Sequence, residues 1–300
     1  MKVDSLTSTD GFVVVDLDDA TTSVGVVRLA PKVLRDGAEL LARSVTYSFA
    51  LFGVAGHGGA SAAINAKPES RDDAVAAFVD EIRPRTESGA LVLAPALGVA
   101  ADDLAPLGVK EPDAALTAEG ALAAAEGTLA RTGHEGTENT PAVREGRMLG
   151  GRTAAVVGSG PVADAAAAQL TAAGASLADG RFDATCDVLF VAGKAGVLDH
   201  ATADVVQASL VVPLTPVPVT ARAFAMLSRA GRVVVPDFLS VAAPLLAAHD
   251  ADGGDAVQRI RDAPAELAEA GTGMWLAAVE RAEANLATWT RESPFGRPLA

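Results

Sequence analysis

A strand, a glycine turn and a helix follow one another without interruption at residues 153–173, and this order constrains the fold more than any other feature. Thr153–Val157 is a short run of small and β-branched residues, which predicts a buried strand. Gly158 and Gly160 predict a turn, and the alanine-rich segment 162–173 predicts a helix. Strands that alternate with helices form a parallel sheet covered on both faces, so we expect an α/β fold.

The turn fits the pattern Gly-x-Gly-x-x-Ala, in which each small residue has its own task. Gly158 permits the tight turn, Gly160 lets the backbone approach a pyrophosphate, and Ala163 lets the helix pack closely on the strand. The N-terminus of the helix attracts the phosphates. We therefore predict a dinucleotide site whose contact residues are Gly158, Ser159, Gly160, Pro161, Val162 and Ala163.

Asp179 bears on which dinucleotide would bind. It lies 21 residues after Gly158, where an acidic side chain accepts a hydrogen bond from the ribose 2′-hydroxyl of NAD and disfavours NADP. The alternative interpretation is a turn residue before Gly180. Only seven residues separate Asp179 from the next predicted strand, at Asp187, which is too few for another helix and strand. The adenosine side of the site is therefore expected to be trimmed, and NAD binding to be weak or vestigial.

The alternation of strands and helices continues through the second half of the chain. Further strands are predicted at 176–178, 187–192, 211–214 and 232–235, with a helix at 219–229. These elements predict a Rossmann-like domain at 147–250, preceded by a polar, glycine-rich linker at 133–151.

The first half has a different pattern and predicts an α+β domain at 1–132, rejoined by C-terminal helices at 263–300. Its strands at 11–16 and 24–29 are expected to pair across a turn. Its helices are predicted at 31–42, 70–83 and 117–131, and its glycine- and alanine-rich segment 53–64 is predicted to be a loop.

Composition excludes several classes of protein. The chain has 38 acidic and 24 basic residues and a net charge of −14, which disfavours nucleic acid and anionic membranes as partners. No run approaches the ~20 apolar residues of a membrane span, and the acidic N-terminus is unlike a signal peptide, so a cytoplasmic location is expected. The acidic, lysine-poor composition is typical of a protein from a high-salt cytoplasm; an acidic patch made for one partner is the alternative. With Cys186 as its one cysteine, the chain has no disulfide framework or thiolate metal cluster.

Short motifs over residues 11–290 occur in an order that resembles one enzyme family. They are Gly25 with Arg28, Val45-Thr46-Tyr47, Gly58-Gly59, Ala94-Pro95, Leu149-Gly150-Gly151-Arg152-Thr153, Cys186-Asp187-Val188-Leu189 and Val233-Val234-Val235-Pro236-Asp237. This series resembles the glutamate/leucine/phenylalanine/valine dehydrogenase family, with the layout of leucine dehydrogenase. The resemblance implies an NAD(P)-binding amino-acid dehydrogenase fold and homo-oligomers assembled through an N-terminal, dimerisation-type domain.

The departures from that family fall on its chemistry. The resemblance implies a lysine for the substrate carboxylate at Ser48, a catalytic lysine at Ser61 and a proton-transferring aspartate at Ala96. An asparagine is likewise replaced by Pro216. Serine supplies no positive charge and alanine transfers no proton, although imine hydrolysis needs both a cation and an acid. No functional catalytic residue is therefore expected.

Three functions remain open on the sequence. The first is a catalytically degenerate relative of the amino-acid dehydrogenases that acts as a regulatory or structural subunit, as a homo-oligomer or together with an active relative. The second is an active NAD(P)-dependent oxidoreductase that uses another small substrate without lysine chemistry. The third is a dinucleotide-binding module without turnover.

Several single residues have competing interpretations. His57 either faces a cleft or is an ordinary loop histidine, Lys67 is predicted to be a surface charge, and Cys186 to be a small buried apolar residue. The strand at 11–16 is expected to leave an apolar edge, which a second copy of the chain or a helix of the same chain would cover.

Overall fold

A computed structural model describes residues 1–109, 111–132, 148–249, 255–271, 273–292, 294 and 296–300. The chain forms two compact units. The first contains Met1–Pro112 and Ala282–Pro298, and the second contains Asp113–Arg281 and Leu299–Ala300. Most of the predicted linker at 133–151 lies outside the described residues. None of the helices in the described ranges is long and apolar enough to cross a membrane.

The first unit is built on a mixed sheet of five strands. In spatial order the strands are β1, β2, β4, β3 and β5. Their bounds are β1 Lys2–Ser5, β2 Gly11–Val15, β3 Thr22–Ala30, β4 His57–Asn65 and β5 Leu91–Pro95. Strand β2 is antiparallel to β1 and β4, and β3 is parallel to β4 and β5. Helices α1 (Arg35–Leu51) and α2 (Arg71–Glu87) complete the unit, with short 3-10 segments at Pro68–Ser70 and Asp102–Leu107.

The prediction of a loop at 53–64 was wrong, because most of this segment is the central strand β4. Its small residues are required by close packing rather than by a turn. A Cβ at Gly59 would lie 1.7 Å from the Ala42 carbonyl oxygen of α1, and a Cβ at Gly25 would lie 1.8 Å from the Ala60 carbonyl oxygen. Any larger side chain would push the helix or the neighbouring strand away.

The predicted pairing and exposed edge of the strand at 11–16 were also wrong. Strand β4 lies between β2 and β3, so these two strands do not pair directly. Strand β1 pairs with the other side of β2, in the register Val3 to Val14. The edge is thus covered by strand β1 of the same chain, and β2 has no exposed edge that a second copy of the chain would need to cover.

The second unit contains a parallel sheet with the order β10, β9, β8, β6, β7. The strands are β6 Thr153–Val157, β7 Ser176–Leu177, β8 Val188–Val191, β9 Leu210–Pro213 and β10 Val233–Val234. The helices are α3 Ala114–Thr132, α4 Pro161–Ala172, α5 His200–Val205, α6 Ala221–Arg229, α7 Asp237–Ser240, α8 Ala243–His249, α9 Ala256–Ala268 and α10 Met274–Leu286, whose last five residues belong to the first unit. This confirms the predicted α/β fold class with its Rossmann-like sheet.

Helix α3 packs in the second unit, whereas the sequence analysis grouped it with residues 1–132. The reason is a set of small residues along the helix. A Cβ at Gly127 would lie 2.0 Å from the Arg261 carbonyl oxygen of α9, so glycine allows the two helices to touch. An ion pair between Glu126 and Arg261, at 3.1 Å, closes the same contact. The pattern of one helix does not reveal which partner its small residues fit.

Candidate functional site

The predicted dinucleotide turn lies at the carboxyl end of β6, and its two glycines are required for different reasons. Gly158 has φ +105°, and a Cβ there would lie 2.1 Å from the Ala192 carbonyl oxygen. Gly160 has φ +107°, but a Cβ there would meet no atom within 4 Å. Gly158 therefore serves the packing of β6 on the segment after β8, while Gly160 leaves open space in front of α4. A pyrophosphate needs such space to approach the backbone.

The turn lies at the point in the parallel sheet where the order of the strands reverses. From β6 the chain proceeds to β7 on one side, whereas β8 pairs on the other side and leads on to β9 and β10. Ligands of open α/β sheets bind outside the carboxyl ends of the strands at such a point. Ala163 is buried against the sheet, and Gly158, Ser159 and Pro161 are exposed at the turn.

Asp179 follows β7 at the same edge of the sheet and is exposed. The adjoining backbone runs close to β6, since a Cβ at Gly180 would lie 2.5 Å from the Val156 carbonyl oxygen. Strand β7 has two residues and pairs only with β6 among the described strands, so the sheet ends here. The 2.6 Å ion pair of Arg181 with Asp183 adds an exposed cation two residues from Asp179.

The loops that follow β8 and β9 are joined beside the turn, a feature that the sequence analysis missed. The Gly193 amide donates to Thr215 Oγ1 at 3.1 Å, and that hydroxyl donates to the Gly193 carbonyl at 2.9 Å. Val217 has φ +54° and is the one non-glycine residue of the described chain with positive φ. Its amide donates to Asp237 Oδ2 at 2.8 Å. The Val-Pro-Asp motif was a sequence signal for Asp237, but nothing in the sequence indicated its partner.

The three positions implied for catalysis all lie in the first unit. Helix α1 extends beyond its predicted end at residue 42 and carries Ser48, whose buried Oγ donates to the Ser44 carbonyl at 3.1 Å. Ser61 lies in the middle of β4, between Val14 and Val26, and is fully buried. Its Oγ has no hydrogen-bond partner among the described residues. Ala96 follows β5 and its amide donates to the Val27 carbonyl at 3.0 Å.

Arg28 lies on the same sheet face as Ser61, because it follows Val26, the β3 neighbour of Ser61, by two residues. Its Nε and Nη2 atoms are buried and have no hydrogen-bond partner among the described residues. Burial lowers the pKa of Arg28. Arg28 is therefore a cation on this face, and it was noted in the sequence only as part of a motif.

The remaining candidates have structural surroundings. His57 begins β4, its Nδ1 lies 3.0 Å from the Ala55 carbonyl oxygen, and its ring centroid lies 5.0 Å from that of Phe49. Lys67 is exposed. Cys186 is partly buried against the core of the second unit, and burial raises the pKa of its thiol.

Restoring a lysine at position 61 is expected to destabilise the protein. Ser61→Lys places a long charged side chain at a fully buried position in mid-sheet, which adds overpacking to lost hydration. We expect the free energy of unfolding to fall by about 2 kcal/mol relative to wild type. Ser61→Ala is the control, since it removes only an unpartnered hydroxyl and should change stability by less than about 1 kcal/mol. Urea unfolding of the three proteins checks this, and equal stability of the lysine and alanine variants would contradict it.

Comparison with known proteins supports the fold. No family model matches the chain, and no curated protein sequence matches it. Solved structures do. The hetero-hexameric glutamate dehydrogenase from Thermus thermophilus in its leucine-bound form is similar with a TM-score of 0.76 and 22% identity, over 94% of this chain and 84% of that chain.

Two further structures are similar over most of their length. L-tryptophan dehydrogenase from Nostoc punctiforme matches with a TM-score of 0.69 and 19% identity, over 96% of both chains. Glutamate dehydrogenase from Plasmodium falciparum matches with a TM-score of 0.71 and 14% identity, over 93% of this chain and 79% of that chain. The chain therefore has the fold of the amino-acid dehydrogenases.

Proposed function

We propose that this chain is a non-catalytic relative of the amino-acid dehydrogenases that binds a dinucleotide and acts as a regulatory or structural subunit. The observation that carries the proposal is the chemistry at three positions. Ser48, Ser61 and Ala96 stand where the resemblance implies two lysines and an aspartate. The two hydroxyls are fully buried. Neither can neutralise a carboxylate, and a methyl group cannot accept a proton.

The dinucleotide part of the proposal is supported by the turn after β6. Gly160 combines a positive φ with open space at its Cβ position, which is what close approach of a pyrophosphate needs. Bound nicotinamide would supply a hydride acceptor. The implied catalytic positions of the first unit, however, hold no lysine or aspartate that could act on a substrate. Asp179 favours NAD over NADP because a carboxylate repels a 2′-phosphate. Weak affinity is expected since β7 is a two-residue edge strand.

The role as a subunit is supported by the assembly of one protein with a similar structure. The Thermus thermophilus protein of the same fold is hetero-hexameric. A chain without catalytic groups can serve in such an assembly by pairing with itself or with an active relative. Its net charge of −14 opposes association at low ionic strength, and salt screens that repulsion.

A single methyl group at position 160 is expected to weaken NAD binding at least tenfold. The methyl group of Gly160→Ala would occupy the open space that a pyrophosphate needs. It would not clash with the protein, because no atom lies within 4 Å of that Cβ position. Isothermal calorimetry with NAD should show binding to wild type and at least tenfold weaker binding to the variant.

The matched control is Gly151→Ala. Gly151 also has a positive φ, +78°, with no atom within 4 Å of its Cβ position, but it precedes β6 at the opposite end of the strand. Gly151→Ala should lose roughly 1 kcal/mol of stability, the cost of an L-residue at positive φ. Gly160→Ala should lose more, because its ψ of 176° lies in a backbone region that almost only glycine adopts. Equal NAD affinity of the two variants would contradict the proposed site, and no binding by wild type would contradict the proposed function. Tighter binding of NADP than of NAD would show that Asp179 does not contact the ribose 2′-hydroxyl.

A further inference from the structure

We propose that Asp237 is a positioning residue for the dinucleotide site, and that it acts by holding Val217 in a left-handed backbone conformation. This inference rests on the proposed function. A β-branched residue with positive φ is a genuine outlier that surrounding contacts must impose. Val217 is such a residue, at φ +54°, and it is almost fully buried.

The contact that imposes this conformation is made by a buried carboxylate. Asp237 begins α7, is only 4% exposed, and accepts a 2.8 Å hydrogen bond from the Val217 amide through Oδ2. A charged acceptor strengthens such a bond, and the buried environment strengthens it further. Without an acceptor the Val217 amide would be left buried and unpaired.

The held conformation aims the Val217 carbonyl at the neighbouring loop. Its oxygen accepts from the Gly196 amide at 2.9 Å. Two residues before Val217, Thr215 Oγ1 exchanges two hydrogen bonds with the Gly193 backbone. These three hydrogen bonds join the loop after β9 to the loop after β8 at Gly193 and Gly196.

The loop after β8 in turn meets the predicted pyrophosphate turn. Ala192 directly precedes Gly193, and its amide donates to the Val157 carbonyl at 2.8 Å. Its own carbonyl oxygen lies against Gly158, 2.1 Å from where a Cβ would stand. The contacts thus run from Asp237 to Val217 and Gly196, and the loop that carries Gly196 leads back through Gly193 and Ala192 to Gly158. Releasing Val217 is expected to shift the loop that borders the site.

The test first removes the Asp237 carboxylate, and then replaces Val217 by a residue that adopts positive φ without it. Asp237→Ala should weaken NAD binding at least tenfold in calorimetry. Asp237→Asn keeps a side-chain oxygen that can accept the bond, so its affinity should stay within about threefold of wild type. Adding Val217→Gly to Asp237→Ala should restore most of the affinity, because glycine adopts positive φ without strain.

Val217→Ala in the Asp237→Ala background is the matched control. It loses nearly the same packing as Val217→Gly but keeps the steric cost of positive φ. Rescue by glycine and not by alanine separates positioning from loss of packing. If Asp237→Ala does not fold, the same glycine-and-alanine comparison is made in Asp237→Asn, where glycine should bind NAD more tightly than alanine.

Two outcomes overturn the inference separately from the proposed function. Equal NAD affinity of wild type and Asp237→Ala would show that Asp237 does not position the site. Equal rescue by glycine and alanine at position 217 would show that the backbone conformation is not the link. Absence of NAD binding by wild type would instead defeat the proposed function, and this inference with it.

Discussion

Replacing Asp16 by leucine is expected to lower the free energy of unfolding of the first unit by about 3–5 kcal/mol, the typical cost of removing one partner of a buried ion pair. Asp16 is fully buried and the Arg43 side chain is nearly so. The Arg43 Nε and Nη2 atoms contact Asp16 Oδ1 at 3.1 and 2.9 Å. Asp16→Leu keeps the branched shape and the number of heavy atoms of the side chain, but leaves the guanidinium desolvated and without its carboxylate.

The two tryptophans allow this loss to be measured in the unit that carries it. Trp289 belongs to the first unit and Trp275 to the second, so in a Trp275→Phe background the fluorescence reports the first unit. Urea unfolding of this protein with and without Asp16→Leu gives the difference.

The matched control is the double variant Asp16→Leu, Arg43→Met, which removes both charges and keeps an apolar side chain in place of each. It should recover most of the lost stability, since a buried ion pair contributes little more than a well-packed apolar pair. A single variant as stable as the parent, or a double variant no better than the single one, would contradict the expected role of the pair.

No turnover is expected from the purified protein with NAD or NADP and glutamate, leucine, valine or phenylalanine. Ser48, Ser61 and Ala96 stand where the resemblance implies two lysines and an aspartate that act as a unit, so the residual rate should be undetectable rather than reduced. Absorbance of the reduced cofactor at saturating substrate checks this. A kcat near 1 per second or above, within the range of working enzymes, would contradict it.

The variant Ser61→Lys, Ala96→Asp separates a lost set of groups from a different activity. Turnover gained by this variant would show that the substrate still binds and that only the chemistry is missing. Turnover of wild type on another small substrate would favour an active oxidoreductase instead. The full burial of Ser61 predicts that this variant is destabilised, so its unfolding is measured beside its activity.

The local pattern predicted the five strands of the parallel sheet in the second unit, but not its short helices at His200–Val205 and Asp237–Ser240. The strand at Thr153–Val157 was predicted with its observed bounds, and the following helix within one residue at each end. Apolar residues bounded by glycines leave little choice of structure over a dozen residues, and parallel strands joined by helices leave little choice of sheet. The amino-acid dehydrogenase fold was likewise implied by motifs that keep their order along the chain.

In the first unit, the local pattern gave a wrong prediction where the residues are small. Glycine and alanine at 57–65 have the composition of a loop, but they form the strand on which α1 packs. Gly59 is required by the Ala42 carbonyl and Gly25 by the Ala60 carbonyl, which are contacts between segments distant in sequence. The burial of Ser61 follows from the same packing, and no local pattern predicts it.

The α/β class and the strand–turn–helix at Gly158 could be read from the sequence, because these features depend on residue type and near neighbours. Three features became known only from the folded chain: β4 separates β2 from β3, β1 covers the predicted edge, and Asp237 accepts a hydrogen bond from the Val217 amide. Strand order, helix docking and side-chain partners depend on contacts between distant segments, and the free energy of those contacts is not encoded in the periodicity of any one segment.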